Sequence, residues 1–414
     1  MTNITKPKGT ADIFGANAAL WRYIESEIHK TAALFGLEEM RTPMFENVEL
    51  FVRSVGEATD IVQKEMYTFT DQGGRTYALK PESTAPAVRA YTENSLHTLP
   101  APAKFYYIAP HFRAERPQKG RYRQHHQFGV EFFGTPSAAA DAELISTFHL
   151  FITRLGMENF ALHINSIGDA DCRKRFNVAL LSYLSEQIDG LCPLCRERMN
   201  KNPMRVLDCK NSTCQEIIKD APVPLNHLSK ECEEHFEQVQ EYLTNLGIPY
   251  TVDKGIVRGL DYYNRTVFEF LSTDLGAQSA IGGGGRYDTL VNGGAVGFGM
   301  GIERLILILE AQDKLPHIPR DIAVFVGGMG DAGAAKAAQI VYKLRKSGIS
   351  AISDLCDRSV KAQLKYADKL NAAHSLVIGD TELESGHAII KNMQSGETKE
   401  IEIDKIVEFF GGRI

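Results

Sequence analysis

Residues 113–131 read RAERPQKGRYRQHHQFGVE, and the architecture of the chain follows from what flanks them. Lys104–Ile108 (KFYYI) leads in and Phe128–Phe133 (FGVEFF) leads out. Both are short, aromatic and β-branched, the composition of paired strands, and they predict one antiparallel hairpin. Its loop crowds Arg113, Arg116, Lys119, Arg121 and Arg123 around a single acid, Glu115, with Pro117 and Gly120 shaping the turn. Such a loop repels itself unless an anion visits it, and guanidinium is the side chain best shaped for bidentate phosphate or carboxylate contact. A charge run by itself is usually a solvated surface. Held between two apolar strands, this one is read as a phosphate site.

Working outward on the N-terminal side, Leu20, Ile24, Ile28, Ala32 and Phe35 mark an amphipathic helix that stops at Gly36. Glu39–Pro43 is a short edge strand, because proline cannot donate to a ladder. Val48, Phe51, Val52 and Val55 form a second helical stripe, and Tyr67–Phe69 with Thr76–Leu79 form a hairpin about Asp71–Gly74. Ser83 or Thr84 is expected to cap the helix that begins near Ala85. On the other side, Leu144–Leu155 is a helix and residues 160–165 a strand. Residues 170–248 are more polar, mostly helical, and interrupted by a cysteine-bearing segment. Strand character returns at Thr266–Leu271, and Val296–Gly301 opens directly onto a helix, Ile302–Ala311. After a linker at Asp313–Pro319 the pattern changes to βαβαβ, the mark of a small parallel sheet. The expected fold is an α+β domain on an antiparallel sheet (1–169 and 249–315) with a mostly helical insertion (170–248), followed by an α/β domain (320–414).

Composition narrows the function classes. A chain of 414 residues exceeds one compact core, and 43% hydrophobic with 24% charged residues is ordinary for a soluble globular protein. The net charge of −6 excludes a wholesale nucleic-acid coat and leaves only local basic patches. The first residues, MTNITKPKGTADIFG, carry no apolar signal-peptide core, and no run reaches membrane-spanning length. Seven cysteines without such a signal favour reduced thiols and a cytosolic address.

Four motifs carry possible chemistry. In GFGMGIER (297–304) the glycines alone suggest close packing, but Arg304 in a first helical turn would reinforce anion binding there. Gly282–Gly285 lacks the ending of a phosphate loop and more simply lets a backbone approach a ligand or a neighbour. Arg258–Tyr263 (RGLDYY) sets a cation, an acid and two phenols together, either as an ion-paired turn or as a site for a small polar ligand such as an imidazole. Cys192-x2-Cys195 with Cys209-x4-Cys214 is either a four-thiolate zinc knuckle or four unligated thiols.

Taken together, these stretches resemble the histidyl-tRNA synthetases, class II aminoacyl-tRNA synthetases, over essentially the whole chain. Pro43 in RTPMFE matches the end of the first class motif, FRAERPQKGRYRQ (112–124) the second and GFGMGIERL (297–305) the third. VRGLDYYNRTVFE (257–269) and GGRYD (284–288) are similar to signatures of the histidine enzyme. The resemblance implies that residues 1–169 and 249–315 are the catalytic core and 320–414 an anticodon-binding domain. It implies histidine activation with ATP and Mg²⁺, transfer to the tRNA, a homodimer and no membrane. It assigns the α-phosphate and attacking carboxylate to Arg113 and Arg258, the outer phosphates to Arg121 and Arg304, and the adenine to Glu115. Glu82, Thr84 and Gln127 would take the amino acid's ammonium, and Glu131, Tyr262 and Tyr263 its imidazole. Arg116 and Gln118 would lie near the tRNA acceptor end.

The chain departs from the family at three positions. Ser83 stands where glycine is frequent, His111 where an apolar residue is, and His125 where a phenylalanine stacks on adenine. Alternation puts His125, Gln127, Gly129 and Glu131 on one face, with His111 opposite His125 in a symmetric register. An exposed-type imidazole at 125 would make ATP affinity vary between about pH 5 and 7.5; the alternative is a neutral ring that replaces a phenyl face. The rival readings of the whole chain are a non-catalytic paralogue serving as a regulatory subunit in histidine biosynthesis, and a sister synthetase. The first usually lacks the second-motif arginines and the C-terminal domain, and residues 258–263 argue against the second.

Overall fold

The computed structural model describes residues 4–411, apart from 58, 208, 210, 257, 259, 275–279 and 319–321 and the side chain of Lys201. Val257 and Gly259 of the 257–269 signature and Pro319 of the expected linker lie outside the described residues. The chain forms two compact units, Met1–Pro316 and His317–Ile414.

The first unit begins with α1 (Gly15–Leu34), β1 (Glu38–Glu39), β2 (Phe45–Asn47), α2 (Val48–Val55), β3 (Thr68–Thr70), β4 (Thr76–Leu79) and α3 (Thr84–Glu93). The expected hairpin follows as β5 (Ala103–Phe112) and β6 (Gln124–Phe133), then α4 (Ala138–Arg154) and β7 (Phe160–Ser166). Helices α5 (Ala170–Glu186), α6 (Pro193–Lys201), α7 (Ser212–Ile218) and α8 (Lys230–Asn245) come next. The unit closes with β8 (Thr251–Val252), β9 (Asn264–Ser272), β10 (Ala280–Arg286), β11 (Ala295–Gly301) and α9 (Ile302–Ala311). Eight strands make the main sheet in the order β1-β5-β6-β11-β10-β9-β7-β8. It is antiparallel except for the parallel outer pairs β1–β5 and β7–β8. The Gly282–Gly285 run is thus a sheet strand, and Phe45–Asn47 adds a third strand to the 68–79 hairpin.

Strand β6 divides the unit into two faces. Phe128, Val130 and Phe132 are fully buried, and Phe128 meets Phe151 of α4 and Phe298 of β11 at 5.2 and 5.4 Å between ring centres. Phe148 of α4 stacks on Phe270 at 4.2 Å. Burying each such phenyl favours the fold by about 2–3 kcal/mol, which pins the register of the alternate residues facing the other way.

Helix α3 is not capped as expected. The Ser83 hydroxyl makes no cap bond; instead Glu82 accepts from the Thr84 and Ala85 amides at 2.7 and 2.9 Å. A carboxylate is favoured there because it meets both the unpaired amides and the positive helix end. Ser83 is turned away to His111, whose Nε2 lies 2.7 Å from its hydroxyl.

The second unit has β12 (Ile322–Gly328), α10 (Gly330–Lys346), β13 (Ala351–Ser353), α11 (Val360–Lys369) and β14 (Ala372–Ile378), then α12 (Asp380–Ser385), β15 (His387–Asn392), β16 (Thr398–Glu402) and α13 (Ile406–Phe409). Its sheet order is β13-β12-β14-β15-β16, parallel through the first three strands and antiparallel through the last two.

A buried ion network joins the layers of the first unit. Arg286, with no exposed surface, pairs with Asp141 at 2.9 Å and Asp288 at 2.8 Å and donates to the Thr135 carbonyl. Asp141 in turn takes His235 of α8 at 2.9 Å. Removing one partner of a buried pair leaves an uncompensated charge, so Arg286→Met should lose about 3–5 kcal/mol in urea unfolding, and adding Asp141→Asn should restore part of that loss.

Candidate active site

The face of β6 away from the core forms the floor of a cavity of about 370 Å³. Two strands build it. Glu131, Gly129 and Gln127 of β6 pair with Gly297, Gly299 and Gly301 of β11. A Cβ on Gly297 would occupy the Glu131 carboxylate, and one on Gly299 would press on the Gln127 amide. The spacing in GFGMG therefore makes room for the side chains that project from its neighbour. Gly129 serves the same end, since a side chain there would overlap the Tyr107 phenol.

Of the residues that the family resemblance assigns to ATP and histidine, Arg113, Glu115, Arg121, His125, Gln127, Arg258 and Arg304 line this cavity. Each arginine is tethered. Arg113 donates to the Pro81 carbonyl at 2.9 Å. Arg121 pairs with Glu115 and lies 3.9 Å from Glu65. Arg304 donates to the Gly120 and Ala280 carbonyls at 2.9 and 2.8 Å. Arg258 is bonded to Glu269 and sits over the Tyr263 ring at 5.7 Å. Its φ of 52° is a left-handed conformation that few non-glycine residues adopt, so the surrounding contacts impose it. Glycine at 283 clears its path, because a Cβ there would come within 3.1 Å of the guanidinium.

Behind the arginines lies a second group around Glu131. Thr84 and Tyr107 hydroxyls donate to one carboxylate oxygen at 2.8 and 3.2 Å, and Tyr287 donates to the other. Tyr262 packs on Tyr263 and Tyr287, with ring centres 4.7 and 5.6 Å apart. Glu82 is buried beside them as the α3 cap. Burial pushes Glu131 up to about 8 and also raises Glu82. Arg116 and Gln118 stand apart, exposed on the loop. The sequence reading missed Tyr107, Glu269, Glu65 and the partner role of Tyr287. Alternation along KFYYI could have placed Tyr107 over Gly129; nothing local pairs Glu269 with Arg258.

His111 faces His125 across the hairpin as expected, with rings 5.6 Å apart. Of the two alternatives at 125, burial favours the neutral ring over an imidazole titrating between about pH 5 and 7.5. Burial, with Arg113 and Arg304 adding repulsion, pushes His125 down to about 3, and burial also lowers His111 well below its usual value. Both shifts favour the uncharged ring.

The four cysteines also converge. The sulfurs of Cys192, Cys195, Cys209 and Cys214 all lie within 4.8 Å of one another, and no two of them are joined by a disulfide.

Cations from a hairpin loop and a helix start, gathered over antiparallel strands, are the design of a class II aminoacyl-tRNA synthetase. A family profile described as histidyl-tRNA synthetase matches residues 9–305, and one described as anticodon binding domain matches 321–413. The histidine–tRNA ligase of Acetivibrio thermocellus is 49% identical over 97% of this chain and 98% of its own length. That of Clostridioides difficile is 48% identical over 97% of each. The crystal structure of apo Staphylococcus aureus histidyl-tRNA synthetase superposes with a TM-score of 0.84 at 38% identity, over 99% of this chain and 100% of that one. The chain belongs to the histidyl-tRNA synthetase family.

The raised Glu131 pKa fixes a pH signature. The folded protein holds a proton that the unfolded chain releases near 4.5, so stability should fall as pH rises from about 4.5 to about 8. Urea unfolding across that range should show Glu131→Gln flattening the slope by up to a few kcal/mol, the remainder belonging to Glu82. An unchanged slope would mean that Glu131 is ionised throughout.

Proposed function

We propose that this cavity divides the histidine–tRNA ligase reaction among the residues described above. The chain is a histidine–tRNA ligase. It activates L-histidine with ATP to histidyl-adenylate and pyrophosphate, then passes histidine to the 3′-terminal ribose of its tRNA. The observation that carries the assignment is the convergence of Arg113, Arg121, Arg258 and Arg304 with Gln127 on one cavity.

In the first step a carboxylate oxygen of histidine bonds to the α-phosphorus while the bond to the β-bridging oxygen breaks, releasing pyrophosphate. Negative charge grows on the equatorial oxygens, and fixed cations aimed at them stabilise that state without reorganising. Arg113 and Arg258 take this role and also hold the attacking carboxylate. Arg121 and Arg304 bind the outer phosphates, and Glu115 reads the adenine. His125, being neutral, offers the base a flat ring without a charge that would repel Arg113. Glu82, Thr84 and Gln127 hold the ammonium, and Glu131, Tyr262 and Tyr263 read the imidazole.

The family's chemistry uses Mg²⁺. Glu65 lies 3.9 Å from Arg121, beside the residue given the outer phosphates, which suits a cation shared with phosphate oxygens rather than enclosed by protein. Glu65 would hold Mg²⁺, which would draw charge from the outer phosphates. Arg116 and Gln118, exposed on the loop, meet the tRNA acceptor end.

Residues 1–169 and 249–315 are the catalytic core on this reading, 170–248 an insertion near the acceptor arm, and 320–414 the part that holds the anticodon. A homodimer, a cytoplasmic address and one structural Zn²⁺ on the four cysteines complete it. Among the described residues, no helix is long and apolar enough to cross a membrane. The regulatory-subunit reading is disfavoured by the intact second-motif arginines and the C-terminal unit.

Exchange of labelled pyrophosphate into ATP should depend on histidine and on no other amino acid. Exchange with a different one would correct the substrate. Arg258→Ala should slow it by roughly 10²–10³-fold, the usual loss for one transition-state donor, and near-normal exchange would remove Arg258 from its role. His125→Phe should keep the ATP KM within about threefold, and that KM should be flat from about pH 5.5 to 7.5. A KM that rises on acidification only with His125 present would restore a titrating imidazole.

A further inference from the structure

Cys192 and Cys195 sit at the start of α6, Cys209 follows the turn Pro203–Val206, and Cys214 lies in α7. Three of the four are buried, and Cys192 and Cys209 sulfurs are 3.9 Å apart. Four thiolates on zinc at about 2.3 Å make a tetrahedron with edges of about 3.8 Å, so the spacing is that of a closed site. Backbone amides are already turned to the sulfurs: Cys192 N–H donates to Cys214 at 3.2 Å and Asn211 N–H to Cys209 at 3.5 Å. Amides so placed offset thiolate charge around a metal. The cluster is the centre of a small core formed by Phe176, Leu180, Leu184, Leu191, Met199 and Val206, of the size that commonly needs a metal staple.

Between the second and third cysteines runs the segment that reaches the active site. Arg198 donates to Asp60 at 3.0 Å, Asn202 to Asp261 at 2.9 Å, and Arg205 lies 3.6 Å from Asp261. Arg198, Arg205 and Asp60 line the same cavity as Arg113 and Arg258, and Asp261 closely follows Arg258 in the chain. We infer that Cys192, Cys195, Cys209 and Cys214 bind one zinc ion, and that the metal holds residues 196–207 as one wall of the adenylation cavity. Arg198 is then a positioning residue: through Asp60 it fixes the wall against the core. The coupling rests on the ligase reading of the cavity; the metal site rests on the cysteines alone.

Atomic emission on full-length protein, purified without chelator and desalted, should find about one zinc per chain. Cys195→Ser and Cys214→Ser should lose it. Should those variants misfold, wild-type protein answers instead: a mercurial thiol reagent should release zinc in step with the four thiols modified, and Co²⁺ exchanged in should give the intense visible absorption of tetrahedral thiolate. Zinc-free protein from zinc-supplemented cells, or release unrelated to thiol modification, overturns the metal site. Trypsin should cut at Arg196, Arg198 or Arg205 in stripped protein and spare them in loaded protein. In pyrophosphate exchange, stripped wild type and zinc-loaded Arg198→Ala should both raise the ATP KM about fivefold, the order expected for losing one partly exposed ion pair, with kcat within twofold. Equal proteolysis and an unchanged KM would overturn the wall while leaving the metal. Failure of loaded wild type to exchange with histidine would instead sink the ligase reading, and with it the coupling, without touching the zinc count.

Discussion

The pairing of β6 with β11 forces a choice at every position of the cavity floor. Cross-strand neighbours on one face have Cβ atoms only about 5 Å apart, so two long side chains cannot both stand there. The chain resolves this by giving β6 the functional groups, Gln127 and Glu131, and β11 glycine at 297, 299 and 301. The cost is conformational, because glycines weaken a strand. Phe128, Val130 and Phe132 on the opposite face offset it by locking β6 onto α4. A slip of one residue would put those phenyls in the cavity and the carboxylate in the core.

The same floor explains why the arginines are leashed. Bringing six guanidinium groups to one cavity is repulsive, and Arg113, Arg121, Arg258 and Arg304 are each held by a carbonyl or a carboxylate. These acceptors fix where the cations point, so on the ligase reading little reorganisation is left for the reaction. Neutral His125 belongs to the same balance. An imidazolium between Arg113 and Arg304 would add another positive charge to a site where six arginines face four carboxylates.

Legibility from the sequence followed the range of the interaction. The hairpin, its register with His111 against His125, the helical stripes and the βαβαβ tail all rest on periodicity or turn chemistry within a few residues. What was lost is of other kinds. Phe45–Asn47 is too short to show alternation. Glu82 took the α3 cap from Ser83 because His111, remote in sequence, drew the serine hydroxyl away. The two departures at 83 and 111 were read separately and form one buried contact. The pKa of His125 depends on burial and on arginines from two other segments, neither of which a strand pattern reports. Among site residues, those in long motifs were legible, whereas Tyr107, Glu65 and Glu269 matter only through partners that folding supplies.

Selectivity for histidine can be argued from what surrounds Glu131. Its two oxygens offer about four lone-pair directions, and hydroxyls of Thr84, Tyr107 and Tyr287 use three. On the ligase reading, the direction left over carries the proton that Glu131 holds up to about pH 8, and it fits a bare ring nitrogen, which an imidazole supplies. An apolar side chain of similar size would leave a buried carboxyl without its last partner, and that desolvation is not recovered elsewhere. Sites built to hydrogen-bond a polar group reject analogues lacking it by several orders of magnitude. A separate hydrolytic correction site is then unnecessary, and fidelity rests on the three hydroxyls staying in place. Gly129 and Gly297 make that possible, because they are the positions that let Tyr107 and Glu131 occupy the same layer.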